Sequence, residues 1–141
     1  MTLKQKNILL WILKIVASVI LLQTLFYKFS ASKESVYIFT AIGLEPVGRI
    51  GIGILELITA ILLFIPRLSW VGALLGVGIM VGALFFHLTK LGIVVMDDNG
   101  LLFTYSLIVT ICCAVIAYLN KDEIINFINK TGIVKLKSKM Q

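Results

Sequence analysis

Four stretches of nineteen residues, Ile8–Phe26, Val47–Ile65, Trp70–Leu88 and Leu101–Leu119, carry almost no charge, and they decide what this chain can be. A helix rises ~1.5 Å per residue, so each stretch is long enough to cross a hydrocarbon layer of about 30 Å. Lipid offers the backbone no hydrogen-bonding partner, and a helix satisfies its own N–H and C=O groups where an open strand does not. No alternating ten-residue pattern suggests a barrel. Composition agrees: 60% of the 141 residues are hydrophobic and 14% are charged, against about 45–50% and 25% in a soluble domain. Disordered, fibrous and disulfide-stapled secreted chains are excluded by the same balance. The expected fold is all-α, an integral membrane bundle of four transmembrane helices in one domain, residues 1–119.

The connections fit that bundle. Pro66-Arg67-Leu68-Ser69 is short enough to lay the second and third helices antiparallel and side by side. Asp97-Asp98-Asn99-Gly100 reads as a turn, with Asn99 and Gly100 suited to left-handed backbone. The longer link from Phe29 to Pro46 carries Val36, Phe39 and Ala41, consistent with a short helix in the membrane interface.

Four spans put both termini on one side, and the basic residues indicate which. Eight Lys or Arg residues lie on the terminal side (Lys4, Lys6, Arg67, Lys121, Lys130, Lys135, Lys137 and Lys139) and four on the other (Lys28, Lys33, Arg49 and Lys90). The excess predicts cytoplasmic termini. The first span, at nineteen residues, is longer than the 7–15 of a signal-peptide core and is read as retained. Residues 120–141 form an appendage: Asn120 as a cap, Asp122 and Glu123 in a first turn, Ile124, Ile125 and Ile128 on one face, then a basic tail. This predicts an amphipathic helix and tail at the inner surface of a bacterial cytoplasmic membrane, with anionic lipid and not nucleic acid as partner.

Few polar residues remain inside the membrane. Glu56 sits tenth in a nineteen-residue span, near the midplane, where a charge costs at least ~2.5–3.5 kcal/mol and ionisable groups usually serve function or pair with one another. Arg49 precedes it by seven residues on the same helical face. Lys28, at the end of the first helix, and His87, at the end of the third, fall at the same level as Arg49, and Tyr105 reaches it from the fourth. Singly, each has a plainer reading: Arg49 and Lys28 as interfacial anchors, His87 as a hydrogen-bonded interfacial ring, Glu56 as a packing group. Together they suggest a polar pocket open to the outer side, with Gln23 either in its wall or bonding between helices. Such a pocket suits a quinone headgroup or another small polar ligand, or a proton relay between His87 and Glu56.

Other features read as structural. Lys14 snorkels to the inner face. Gly72 with Gly76, and Gly78 with Gly82, are small-xxx-small pairs suited to close helix approach, as are Gly48, Gly51 and Gly53. Adjacent Cys112 and Cys113 diverge by about 100° on a helix and form no Cys-x-x-Cys motif. One histidine and two buried cysteines make no metal site, so none is expected. Neither a phosphate-cradling loop nor a nucleophile elbow is present.

Several short motifs occur in an order that resembles the DoxX-like membrane proteins: Phe26-Tyr27-Lys28-Phe29; Phe39, Ile42-Gly43-Leu44 and Pro46; Gly53-Ile54-Leu55-Glu56-Leu57 closed by Pro66-Arg67; and Met80 through Phe86-His87-Leu88 with Gly92. The resemblance spans residues 8 to 119. It implies a four-helix membrane bundle and an association with oxidoreductase systems, among them the membrane subunit of a thiosulfate:quinone oxidoreductase and a thiol-stress complex. Its matching polar positions are Lys28, Glu56 and His87. The functional expectation is therefore a membrane subunit or anchor of a quinone-linked oxidoreductase system. Glu56 and His87 handle protons and ligand hydrogen bonds there, while Lys28, Arg49, Tyr105 and Gln23 bind the ligand. No intrinsic cofactor is expected beyond a bound quinone, and a redox protein partner and a homo-oligomer are both compatible. A non-enzymatic scaffold and a small-molecule or proton transporter stand as alternatives.

Overall fold

The computed structural model describes residues 1–132 of the chain, and its helices cover the four apolar stretches identified above except for Ile65, with His87 and Leu88 in a π-helical turn. Helix α1 (Leu3–Phe29) starts at a reciprocal cap: the Gln5 N–H donates to Thr2 Oγ1 at 3.2 Å, and the Thr2 N–H donates to Gln5 Oε1 at 2.9 Å. This pairing satisfies two of the free donors at the helix start, and α1 accordingly begins five residues before the expected span. Helix α2 (Lys33–Ala41) is the short helix of the first link. Helices α3 (Val47–Phe64), α4 (Ser69–Phe86) and α5 (Leu101–Leu119) complete the set. A π-helical turn, His87–Leu91, prolongs α4 to Gly92, whose φ is +79°. The four long helices have the length and apolarity to cross a membrane. The chain is a multi-pass membrane protein by that criterion.

The long helices pack as a ring in which α1 touches α3 and α5, and α4 touches the same two. Inside it lies a dry core of Leu10, Ala17, Leu21, Leu63, Ala73, Met80, Val109, Cys112, Cys113 and Ile116. Both cysteines are free thiols. Large apolar side chains cover the outside, with Trp11, Ile12, Val19, Ile61, Phe85 and Ile111 all more than half exposed. In water that surface would aggregate; a bilayer solvates it at no cost.

Two features distinguish the ends of the bundle. At one end α6 (Lys121–Lys130) leaves α5 and packs on α4 and α5, with Phe127 stacked on Trp70 at 5.2 Å between ring centroids. Asn120 occupies its N-cap position without a side-chain capping bond. The expected helix is present; the basic tail beyond it, with Lys135, Lys137 and Lys139, lies outside the described residues. At the other end α2 folds across α1, α3 and the π-helical turn, burying Ser35 and Phe39.

The glycines divide into two groups, correcting the uniform expectation of close approach. A Cβ on Gly72 would lie 2.9 Å from the Leu63 backbone nitrogen, and one on Gly76 2.7 Å from Cys113 Sγ, so these two do permit tight packing of α4 on α3 and α5. Gly51, Gly78 and Gly82 have nothing within 4 Å of that position. Replacing Gly72 by Ala therefore overpacks against backbone, which cannot move aside, at a cost of about 1–3 kcal/mol; Gly51→Ala is neutral within about 1 kcal/mol. Thermal unfolding followed with a thiol-reactive fluorophore, which reads exposure of Cys112 and Cys113, checks this. A Gly72→Ala melting temperature equal to wild type would refute the close contact.

Candidate ligand site

Away from α6, the four long helices diverge around a cavity of about 450 Å³. Its walls come from α1, α3, α4 and α5, with α2 and the 92–100 loop across its end. Most of the lining is aliphatic or aromatic, including Ile20, Ile38, Phe39, Ile79 and Phe86. Polar residues from several of these elements interrupt the apolar wall, Thr24, Lys28, Glu56, His87 and Tyr105 among them, a mixture found at small-molecule sites.

An ion pair forms the base of the site. Lys28, on the last turn of α1, places Nζ 3.0 Å from Glu56 Oε1 at the middle of α3. Thr24, one turn before Lys28 on the same face of α1, donates to that oxygen at 3.3 Å and to the Leu21 carbonyl at 3.0 Å. Glu56 is only 2% exposed. Its second oxygen, Oε2, has no hydrogen-bond partner among the described residues. A buried carboxylate with one satisfied oxygen is an expensive arrangement for packing alone.

Arg49 does not join the cavity wall. Its Nε lies 2.9 Å from both Glu45 oxygens, and its Nη1 donates to the Lys28 carbonyl. The guanidinium thus ties the start of α3 to the C-terminal end of α1, at the residue that reaches Glu56. Sequence placed Arg49 and Glu56 on one face; the structure gives Arg49 the task of fixing Lys28 from behind.

His87 is buried where α4 passes into the π-helical turn. Its Nδ1 lies 2.8 Å from the Gly92 carbonyl oxygen, and its ring meets Phe103 edge-on at 5.8 Å. A carbonyl only accepts, so Nδ1 carries a proton, and the tautomer that this bond selects presents Nε2 as an acceptor. Irregular turns of this kind are frequent at functional positions; here one both points His87 into the wall and brings the Gly92 carbonyl to it.

Of the six residues singled out from sequence, Gln23, Lys28, Glu56, His87 and Tyr105 line this one cavity, and Arg49 stands outside it. Thr24, Ser106 and Asp98 line it as well and were not anticipated. Thr24 was legible as the residue four before Lys28. Asp98, two residues before Gly100 and the apolar run of α5, carries the signature of a helix start. It accepts from the Val95, Gly100 and Leu102 backbone N–H groups at 2.9, 2.9 and 3.1 Å. Partial burial disfavours its charge, but those three donors outweigh burial and hold its carboxyl below the ordinary range. No protein-family model, curated protein or solved structure matches the chain.

Two outcomes are expected. Lys28→Met leaves a buried carboxylate unpaired and lowers stability by up to about 3–5 kcal/mol. Combining it with Glu56→Met recovers most of that loss, so a double-mutant thermal cycle far from additive is the check. For Asp98, the folded carboxyl titrates below its unfolded value, so its contribution is full above the unfolded pKa and disappears as pH falls through the folded one. Asp98→Ala accordingly loses about 0.5–2 kcal/mol near neutral pH, and the gap between the variant and wild-type melting temperatures closes in acid.

Proposed function

We propose that this chain is a bacterial inner-membrane protein, with cytoplasmic termini, that binds a small polar-headed molecule of the quinone class as a membrane subunit or anchor of an oxidoreductase system. The observation that carries this reading is the Lys28–Glu56 pair on the wall of an apolar cavity that also holds His87 and Tyr105. The DoxX-like resemblance of residues 8 to 119 supports the same class. In this reading a redox protein partner supplies the electron chemistry.

The residues fit such a ring-and-tail molecule on physical grounds. The cavity is largely apolar and of the size that small-molecule sites occupy. Tyr105 Oη and Lys28 Nζ offer donors for carbonyl oxygens, while Glu56 Oε2 and His87 Nε2 offer acceptors for hydroxyls. A bound quinone supplies the two-electron chemistry. The chain's own part is to orient the head with Tyr105 and His87, exclude water with the aliphatic wall, and accept a proton at the Glu56 carboxylate. Lys28 keeps Glu56 in place, and Arg49 keeps Lys28 in place through its backbone carbonyl.

The test uses the full chain in lipid nanodiscs with a decyl-tailed benzoquinone as probe. Wild type binds it, and Tyr105→Phe, which removes a donor to a quinone carbonyl from the cavity wall, weakens binding by about tenfold, the cost of losing one hydrogen-bond partner, with an unchanged elution volume. Affinity purification from native membranes is expected to recover a redox protein. Bare protein with bulk phospholipid, together with variants that lose stability but no binding, would instead mark a scaffold whose polar groups only fix the bundle.

A further inference from the structure

The cavity has a thin place in its side, on a helix long and apolar enough to cross a membrane. Gly78 and Gly82, one turn apart on α4, both line the cavity. A Cβ at either would meet nothing within 4 Å, and Gly78 is exposed. Gly78 is the tenth of the eighteen residues of α4, so this part of the wall lies midway along a spanning helix. A water-borne solute does not reach that depth from the bilayer side, whereas a lipid-dissolved one resides there.

The polar groups add a second, independent constraint. Glu56, 2% exposed, leaves Oε2 without a partner among the described residues. The His87 ring donates through Nδ1 to the Gly92 carbonyl, and the tautomer so selected presents Nε2 as an acceptor. Beside the donors Lys28 and Tyr105 on the same wall, these two free positions accept hydrogen bonds. A head that only accepts, such as a diketone or an ether, leaves them unsatisfied; a head with hydroxyl groups satisfies both.

Resting on the reading of the cavity as a ligand site, we propose that its ligand is a membrane-dissolved amphiphile with an apolar body and a hydroxyl-bearing head, admitted from the hydrocarbon layer past Gly78 and Gly82, with its hydroxyls donating to Glu56 and His87. Among ring-and-tail molecules this selects the reduced, dihydroxy form over the oxidised diketone. The small residues at 78 and 82 set the width of the entrance, and Glu56 and His87 set the chemistry of the head.

Binding of 5-decylresorcinol, its dimethyl ether and tail-less resorcinol to the full chain in nanodiscs tests this, with concentrations referred to the lipid phase. These probes share a ring and differ in donors or tail, and none needs an oxidant. The expected result is that decylresorcinol binds about tenfold or more tighter than its ether, an unsatisfied buried acceptor being worth at least that factor. Gly82→Leu and Gly78→Leu slow its association about tenfold or more, while Gly51→Leu, with equal open space, does not. If a leucine variant fails to fold, Gly82→Val in its place carries the same expectation in reduced degree. Equal affinity for the resorcinol and its ether overturns the choice of head, and association unaltered by Gly78→Leu and Gly82→Leu overturns the route. Binding of the decyl benzoquinone without binding of decylresorcinol overturns this inference and leaves the ligand-site reading standing; binding of neither overturns both.

Discussion

The contact between Lys28 and Glu56 organises the cavity end of this bundle. It joins the C-terminal end of α1 to the middle of α3, and each of its neighbours has a role that depends on it. Thr24 shares the bonded oxygen, Arg49 grips the Lys28 carbonyl, and Glu45 holds Arg49. A charge pair in a low-dielectric setting gains little net free energy over apolar packing, because desolvating both ions offsets their attraction. What it provides is specificity: once buried, neither partner tolerates separation. The two helices are therefore held in one register at the level where the bundle opens.

That opening changes what packing can do. Over the half nearer α6, Gly72, Gly76, Ala73 and Cys113 let α4 lie close to α3 and α5, and the core is dry and filled. Beyond Met80 the same helix carries Gly82, where a Cβ would meet nothing within 4 Å, and Ala83, both on the cavity wall, and residues of α2 line the end of that space. A membrane protein gains nothing from hydrophobic burial between helices in lipid, so a cavity of this kind costs mainly lost dispersion contacts. The costly element is the half-satisfied carboxylate, and its retention on the cavity wall is what makes a ligand the economical explanation of the site.

Loop geometry completes the enclosure. The π-helical turn ends at Gly92, the chain passes through left-handed residues at Met96, Asp97 and Asn99, and Asp98 gathers three backbone donors before α5 begins. His87 and Asp98 thus secure the two ends of one loop, and both line the cavity. The polar residues at this end of the molecule serve two purposes at once: they satisfy backbone groups that lipid would leave unpaired, and they place acceptors on an otherwise apolar wall.

Sequence alone determined the helices and the depth of the critical charge. Runs of nineteen mostly apolar residues favour helices in lipid, and position along such a run fixes depth, so Glu56 at mid-span and Lys28 and His87 at the far end were legible from spacing. The turn at Asn99-Gly100 followed from the left-handed preference of those residues. Tertiary structure decided which faces meet. Periodicity places Arg49 and Glu56 on one stripe, but only the packing of α1 shows that Lys28 takes Glu56 while Arg49 takes Glu45. Small residues four apart look alike in a sequence; whether they bring helices together, as at Gly72 and Gly76, or leave a wall thin, as at Gly78 and Gly82, depends on the direction in which a neighbouring helix runs. That direction is set by contacts between residues distant along the chain, which local spacing does not encode.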